Sequence, residues 1–295
     1  MRIFVTGATG FIGSAVVPLL LKANHSVIGM TRSAEGAKAL EAQGATPLQA
    51  TLEDPESIKR GVEKADAVIH CAFDHDFSRF VENTQKDSRV IAAMGEALKG
   101  SKRPLLITSG VGIGGGGHGQ LAREDVFDDS HPNPRIATER AGNTLLDAGL
   151  NVSVMRLPQV HDTRKQGLIT PLMDIFRQRG VAAYVGDGQN RWSAGHLSDV
   201  ARAYHLAIER GEAGARYNAV GEEGVPAKDI AAALGRGLKV PVKSVTQAEA
   251  GEYFGWMGMF AAMDLAASSA ITQAKLNWKP TGPGLIADLD AMNYG

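Results

Sequence analysis

Eight residues near the start, Thr6-Gly7-Ala8-Thr9-Gly10-Phe11-Ile12-Gly13, constrain this chain more than any other stretch. They follow a short apolar run, Ile3-Phe4-Val5, and open a segment in which Ile12, Val16, Leu19 and Leu20 recur at helical spacing. A strand that turns into a helix over glycines at 7, 10 and 13 suits one ligand chemistry. Gly7 permits the tight turn, Gly10 lets backbone approach a pyrophosphate, and Gly13 lets helix and strand pack closely. The helix N-terminus then offers free N–H groups and a positive dipole end to phosphate. Gly7, Gly10, Phe11, Ile12 and Gly13 are the expected phosphate contacts of a dinucleotide.

Beyond this loop, short apolar runs alternate with longer helical patterns. Val27-Ile28, Ala67-Val68-Ile69, Leu105-Leu106-Ile107 and Val152-Ser153-Val154-Met155 read as strands. Helices are expected from Phe11 to Ala23, from Ala34 to Gln43, within Ser78 to Leu98, and from about Pro134 to Ala148, the last with Asn133 as N-cap and Pro134 at its first position. The alternation predicts an α/β fold with a parallel sheet between two layers of helices. The runs are continuously apolar, as strands covered on both faces should be. The stretch Gly110 to Gly119 suits a flexible loop. After Pro158 the alternation fades, and residues 159–193 and 220–295 read as a smaller, helix-rich lobe. One more helix-then-strand pattern from Ser198 to Asn218 returns to the sheet, so the expected nucleotide-binding domain is 1–158 plus about 194–219.

Composition excludes several classes of partner. Thirty-one basic against 32 acidic residues give no charge bias toward nucleic acid or anionic membrane. The single cysteine, Cys71, excludes an intrachain disulfide and fits a reducing cytoplasm. The first apolar run is cut short by Thr6-Gly7, so no signal peptide is expected, and no stretch approaches the roughly 20 apolar residues that span a bilayer.

The spacing T-G-x-x-G-x-x-G resembles the extended and atypical branches of the short-chain dehydrogenase/reductase superfamily. Further stretches carry the resemblance along most of the chain: Ala67 to Ala72, Leu105 to Ser109, Arg156-Leu157-Pro158-Gln159-Val160-His161, Gly186-Asp187-Gly188 through Arg191, His196 to Ala201, and Lys275-Leu276-Asn277-Trp278-Lys279-Pro280. The resemblance implies a doubly wound Rossmann sheet, a nicotinamide cofactor and a C-terminal substrate lobe. It also implies adenine and nicotinamide contacts near Leu52, Ala72 and Phe73, and a homodimer through the helices within 78–98 and 134–148.

Cofactor choice is readable at the end of the second strand. An acidic residue about 20 positions past the glycines normally holds the ribose 2′-hydroxyl of NAD. This chain has Met30-Thr31-Arg32-Ser33 there, with no carboxylate. Arg32 can pair with a 2′-phosphate, and Ser33 adds a donor. Thr31 and Arg32 therefore point to NADP, with NAD as the other option. Where related chains often carry Gly-Asp at the end of the third strand, this one has Ala50-Thr51.

Ligands of open parallel sheets bind past the carboxyl ends of the strands, which nominates Cys71 to Asp76, Ser109 to Gly114 and Pro158 to Asp162. The superfamily's proton relay needs Tyr-x-x-x-Lys. The tyrosines are at 184, 204, 217, 253 and 294, and none has Lys four residues later. One frame keeps Glu139 and places Arg135 at the Lys position and His131 at the Tyr position. A frame five residues later puts Arg140 and Ile136 there. The first is preferred, although Pro132 and Pro134 keep His131 off the helix that carries Arg135. The usual serine falls at Ser109 or Gly110. His75, between Asp74 and Asp76, is a second histidine whose flanking carboxylates are expected to raise its pKa. Adjacent residues rarely converge on one ion, so no metal is expected there. His161 faces the substrate cleft in the resemblance, Arg156 reads as structural, and Arg191 matches an arginine that grips nucleotide-sugar phosphate or else forms an ion pair. Trp192, Phe254, Trp256, Met257, Met259 and Phe260 form an apolar group, part of which is expected to wall a substrate pocket. The leading reading is an NADPH-dependent oxidoreductase reducing a carbonyl or activated double bond of a small apolar molecule. The alternatives are a non-enzymatic NADP sensor and a nucleotide-sugar epimerase or dehydratase.

Overall fold

The chain opens with β1 (Arg2–Thr6), α1 (Gly13–Lys22), β2 (Ser26–Thr31), α2 (Ala34–Ala42), β3 (Thr46–Gln49), α3 (Pro55–Glu63) and β4 (Ala67–His70). It continues with α4 (Phe80–Leu98), β5 (Leu105–Gly110), α5 (Ile136–Asp147) and β6 (Val152–Leu157). The computed structural model describes residues 1–115, 117 and 119–295, with Met259 described by its backbone only. The second half runs β7 (Gln159–His161), α6 (Ile169–Arg179), β8 (Ala182–Val185), β9 (Arg191–His196), α7 (Leu197–Arg210), β10 (Arg216–Asn218), β11 (Glu222–Pro226) and α8 (Ala227–Leu238). It ends with β12 (Val242–Val245), α9 (Gln247–Phe254), α10 (Gly258–Ala262), α11 (Ala270–Leu276) and α12 (Leu285–Ala291).

Seven strands form one sheet in the order β10-β6-β5-β4-β1-β2-β3, and every pairing in it is parallel. This is the doubly wound Rossmann arrangement, and the order in which strands are added switches direction between β1 and β4, where such sheets bind nucleotides. Ile3, Phe4, Val5, Val68, Ile69, Leu105, Leu106 and Ile107 are all fully buried, because helices cover both faces. One apolar cluster packs α1 and α7 against β1 and β4, and another packs α3 and α4 on the opposite face.

A third cluster holds the C-terminal segment together around Phe176, Trp192, Leu234, Phe254 and Leu289. This segment is helix-rich, but it also carries two small sheets, β11-β9-β7 and β12-β8, that the sequence pattern did not resolve. Their strands are three to six residues long, too short to show a period. No helix among the described residues is long and apolar enough to cross a membrane.

Two local expectations change. The helix expected from Pro134 begins at Ile136, and Asn133 is not its N-cap. The Asn133 side chain instead accepts the Arg135 N–H at 2.9 Å, and the Ile136 N–H reaches the Asn133 carbonyl, so a tighter turn precedes the helix. The glycine-rich stretch is not uniformly loose: Val111–Gly114 forms a short 3-10 turn with Val111 and Ile113 buried. Gly116 and His118 of that stretch lie outside the described residues.

Candidate functional site at the carboxyl edge of the sheet

Gly7 has φ of +64°, and a Cβ there would stand 2.9 Å from the Ala72 backbone nitrogen, so the loop rests on the chain leaving β4. A Cβ at Gly13 would come within 2.1 Å of the Gly7 carbonyl oxygen; the helix starts this close to the strand only because no side chain intervenes. The turn's own bonds run from Gly10 N–H to the Gly7 carbonyl and from Ser14 N–H to the Gly10 carbonyl, each at 2.9 Å. Phe11, Ile12 and Gly13 keep N–H groups that these bonds do not use, and α1 has neither a capping side chain nor an acid in its first turn. The cradle fits a dinucleotide pyrophosphate.

At the end of β2, Thr31 is buried while Arg32 and Ser33 are exposed. Ser33 caps α2 by accepting the Gly36 N–H at 3.0 Å, and its hydroxyl proton is still free to donate. Arg32 enters no ion pair among the described residues. Leu52, Ala72 and Phe73 are half-buried on the loops after β3 and β4. Lys86 of α4 ties those two loops together through Glu53 and, at 2.8 Å, Asp74.

Beneath the loops runs a buried polar network that sequence reasoning missed. The Ala72 N–H donates to Thr6 Oγ1 at 3.1 Å, and Thr6 Oγ1 bonds His70 Nδ1 at 2.7 Å. His70 Nε2 bonds Asp87 Oδ1 at 3.0 Å. The other Asp87 oxygen accepts from Thr138 Oγ1 at 2.6 Å and from Arg135 Nη1 at 3.3 Å. Burial works to raise the Asp87 pKa, but the Arg135 charge and the His70 and Thr138 hydrogen bonds outweigh it and hold the carboxyl below the usual range. The signal for Asp87 was a carboxylate falling on the stripe of α4 that also carries Asn83, Val90, Ile91 and Met94.

Arg135 is therefore held by the protein itself. Besides Asp87, its Nη2 donates to the Thr108 carbonyl at 2.7 Å, and its guanidinium stacks 3.7 Å from the centre of the Phe73 ring. Three of its N–H groups remain for a ligand. His131 does not touch Arg135; its Nδ1 accepts the Asn133 N–H at 3.1 Å, which puts the ring proton on Nε2. Ser109, at the end of β5, is buried, and its hydroxyl has no hydrogen-bond partner among the described residues. A buried unpaired hydroxyl is unfavourable, and this one lies at the carboxyl edge of the sheet, where ligands of such sheets bind.

The remaining candidates separate. His75 does not gain a raised pKa from Asp74 and Asp76: desolvation beside Phe73 and Phe77, and then the Arg135 charge, hold it below its ordinary value. Asp74 spends its carboxylate on Lys86. Desolvation pushes the Cys71 thiol up to about 12, so it is no nucleophile at neutral pH. Tyr204 reaches this neighbourhood from α7, but it is fully buried, with its hydroxyl 2.6 Å from Thr108 Oγ1 and its pKa raised by burial. Arg156 is fully buried in a bidentate pair with Glu139, at 2.8 Å on both arms, and holds the Arg123 and Val126 carbonyls; it is structural. Arg191 is paired with Asp264 at 2.9 Å. His161 lines a cleft of about 240 Å³ with His196, Asp199 and Glu222, and its Nδ1 is 2.7 Å from Asp288.

An aromatic wall stands beside Phe73. Phe73 meets Phe80 edge-on, Phe77 stacks on Trp256 with centroids 4.8 Å apart, and Phe260 packs against both Phe77 and Trp256. Trp256 remains 47% exposed, so the wall has an open face. Trp192, Phe254 and Met257, by contrast, are core, and the Met259 side chain lies outside the described residues.

Comparison with known proteins agrees with this geometry. A family profile described as the NAD dependent epimerase/dehydratase family matches residues 3–220. An uncharacterised protein of Schizosaccharomyces pombe, C2A9.02, is 44% identical over 100% of both chains. A Stigmatella aurantiaca protein named as a 4-hydroxy-2-methyl-3-oxo-4-farnesyl-3,4-dihydroquinoline-1-oxide ketoreductase is 27% identical over 74% of this chain and 67% of its own. Among solved structures, a Thermus thermophilus UDP-glucose 4-epimerase in complex with NAD superposes with a TM-score of 0.77 at 20% identity, covering 99% of this chain and 97% of the other.

Proposed function

The chain belongs to the NAD-dependent epimerase/dehydratase family, and from that premise we propose that it is an NADPH-dependent reductase of a carbonyl, or activated double bond, on a small apolar molecule. The aromatic wall of Phe73, Phe77, Phe80, Trp256 and Phe260 carries this reading, because it offers an open apolar face beside the strand ends where the nicotinamide belongs. A nucleotide-sugar reading is weakened because Arg191 is already neutralised by Asp264. The Stigmatella aurantiaca relative, named for a farnesylated ketone, supports the reductase.

When bound, the nicotinamide supplies the hydride. The chain's own part is to hold and polarise the accepting group. Ser109 donates its otherwise unpaired hydroxyl to the substrate oxygen. Arg135, fixed by Asp87, Thr108 and Phe73, turns its remaining N–H groups toward ribose or substrate oxygen. His131 donates a hydrogen bond from Nε2, and delivers a proton only by giving up its bond from Asn133. Arg32 and the Ser33 hydroxyl hold the 2′-phosphate. The single cysteine fits a reducing cytoplasm.

Calorimetry with NADPH and NADH, followed by NADPH oxidation across a panel of apolar ketones, aldehydes and enones, tests the proposal. NADPH is expected to bind at least tenfold more tightly than NADH, with Arg32→Ala removing most of the difference. Equal affinities for the two cofactors refute the NADP assignment. Tight NADPH binding with no turnover across the panel favours the sensor reading instead.

A further inference from the structure

We infer that the chain carries a divalent-metal site remote from the nucleotide loop, formed by Nε2 of His25, Nε2 of His205 and a carboxylate oxygen of Glu209. His205 and Glu209 lie at i and i+4 on α7, one above the other on the same face. His25 lies in the turn between α1 and β2, and α1 packs along α7, so the turn is carried over that face. The three donor atoms all lie within 4.8 Å of one another. Glu209 Oε1 is 3.0 Å from His25 Nε2 and 3.2 Å from His205 Nε2. A tetrahedral zinc ion with bonds of about 2.0–2.1 Å spaces neighbouring ligand atoms about 3.3–3.4 Å apart. Both His–Glu separations are already close to that spacing.

A second observation points to a cation ligand set. His205 Nε2 is buried and has no hydrogen-bond partner by geometry among the described residues, with a Glu209 carboxylate oxygen 3.2 Å away. A buried ring nitrogen left unpaired is unfavourable, and a cation shared with Glu209 and His25 satisfies it. Glu209 is exposed, which leaves a fourth position to water.

Two imidazoles and one carboxylate are the donor set of zinc, and copper(II) or nickel(II) bind such sets as well. The site sits where β2 begins, at the edge of the sheet opposite the nucleotide loop. Its effect is therefore on stability, tying the α1–β2 turn to α7. The sequence hid it because 180 positions separate His25 from His205.

The test is calorimetric titration of the chelator-treated full chain with zinc chloride, together with absorption spectra on cobalt(II) addition. One equivalent of zinc is expected to bind and raise Tm, and cobalt is expected to give the intense visible bands of a four-coordinate ion. His205→Gln and Glu209→Gln are each expected to weaken zinc binding at least tenfold and to leave NADPH affinity within twofold. No saturable zinc binding to the folded chain, binding that survives both substitutions unchanged, or only the weak bands of six-coordinate cobalt overturns the proposal. The cobalt spectrum needs no variant, so it stands even if a substitution impairs folding.

Discussion

Ser109 separates what a residue does for the fold from what it does for a ligand. Most buried hydroxyls are kept because removing them strands a partner, which costs about 1–3 kcal/mol. Ser109 has no partner to strand among the described residues. Ser109→Ala is therefore expected to leave stability unchanged within about 0.5 kcal/mol, or to raise it slightly. If the hydroxyl polarises the substrate oxygen, the same change lowers kcat by about 10²–10³ and leaves NADPH affinity alone. His131 makes the opposite case. Its Nδ1 is committed to Asn133, so His131→Gln, which keeps a donor and an acceptor, is expected to cost less than tenfold in kcat. Steady-state kinetics and thermal melts on the two variants decide between them. A Ser109→Ala enzyme with full turnover, or a His131→Gln enzyme that is dead but folded and binds NADPH, reverses the assignment.

At the scale of elements, Asp87 is where β4, α4 and α5 are lashed together, and with them the loops over the nucleotide site. Its carboxylate serves His70 at the end of β4, Thr138 on α5 and Arg135 just before α5. Removing one member of a buried charge pair costs about 3–5 kcal/mol, so Asp87→Asn is expected to lower stability by about that amount at neutral pH. The folded-state pKa of Asp87 is depressed, so its contribution is present above the unfolded carboxylate value and is lost as pH falls through the folded value. The fall in ΔG below about pH 5 is therefore expected to be shallower in Asp87→Asn, by up to about 1.4 kcal/mol per pH unit. Denaturant melts between pH 7 and 3 measure both effects, and parallel curves for the two proteins sink the argument. This network also shows where sequence reading stops. The glycine loop was legible because a backbone at positive φ, and a helix start that would put a Cβ 2.1 Å from a carbonyl oxygen, force glycine onto the sequence. The strands were legible because burial on both faces forces Ala67-Val68-Ile69 and Leu105-Leu106-Ile107 to be apolar throughout. Asp87 was not, since a carboxylate in mid-helix looks like a solvated residue until Asn83, Thr84 and Lys86 beside it prove buried too. Phe77 was missed for a related reason: a loop aromatic carries no period, and only Trp256 folding back on it reveals the wall.

For the whole molecule, the outer surface of α4 and α5 is the face expected to meet a second copy. The two helices form one plate, since a Cβ at Gly95 would fall 2.3 Å from the Leu145 side chain and Ser88 Oγ donates to the Ala137 carbonyl at 3.1 Å. Outward from the plate, α4 presents Val81, Gln85, Arg89, Ala92 and Glu96, with Arg140 and Thr144 on α5. A two-fold axis across this plate makes an isologous four-helix contact in which each exposed residue meets its own kind of surface. Val81, 57% exposed, is the apolar element such a contact would bury. Glu96, which already pairs with Lys59 of its own chain, can also meet Arg89 of the opposing copy, and because these are rim charges the association should weaken with salt. Light scattering at 10–50 μM, concentrations of the order where weak association of this kind is populated, is expected to give twice the chain mass of 31.1 kDa. Ala92→Arg places a long cation on an exposed position and disturbs no contact within the chain, so it is expected to return the protein to monomer with its Tm per folded chain and NADPH affinity intact. A monomer in the unmodified protein throughout that range rules the dimer out. A dimer that persists in Ala92→Arg moves the contact to another face.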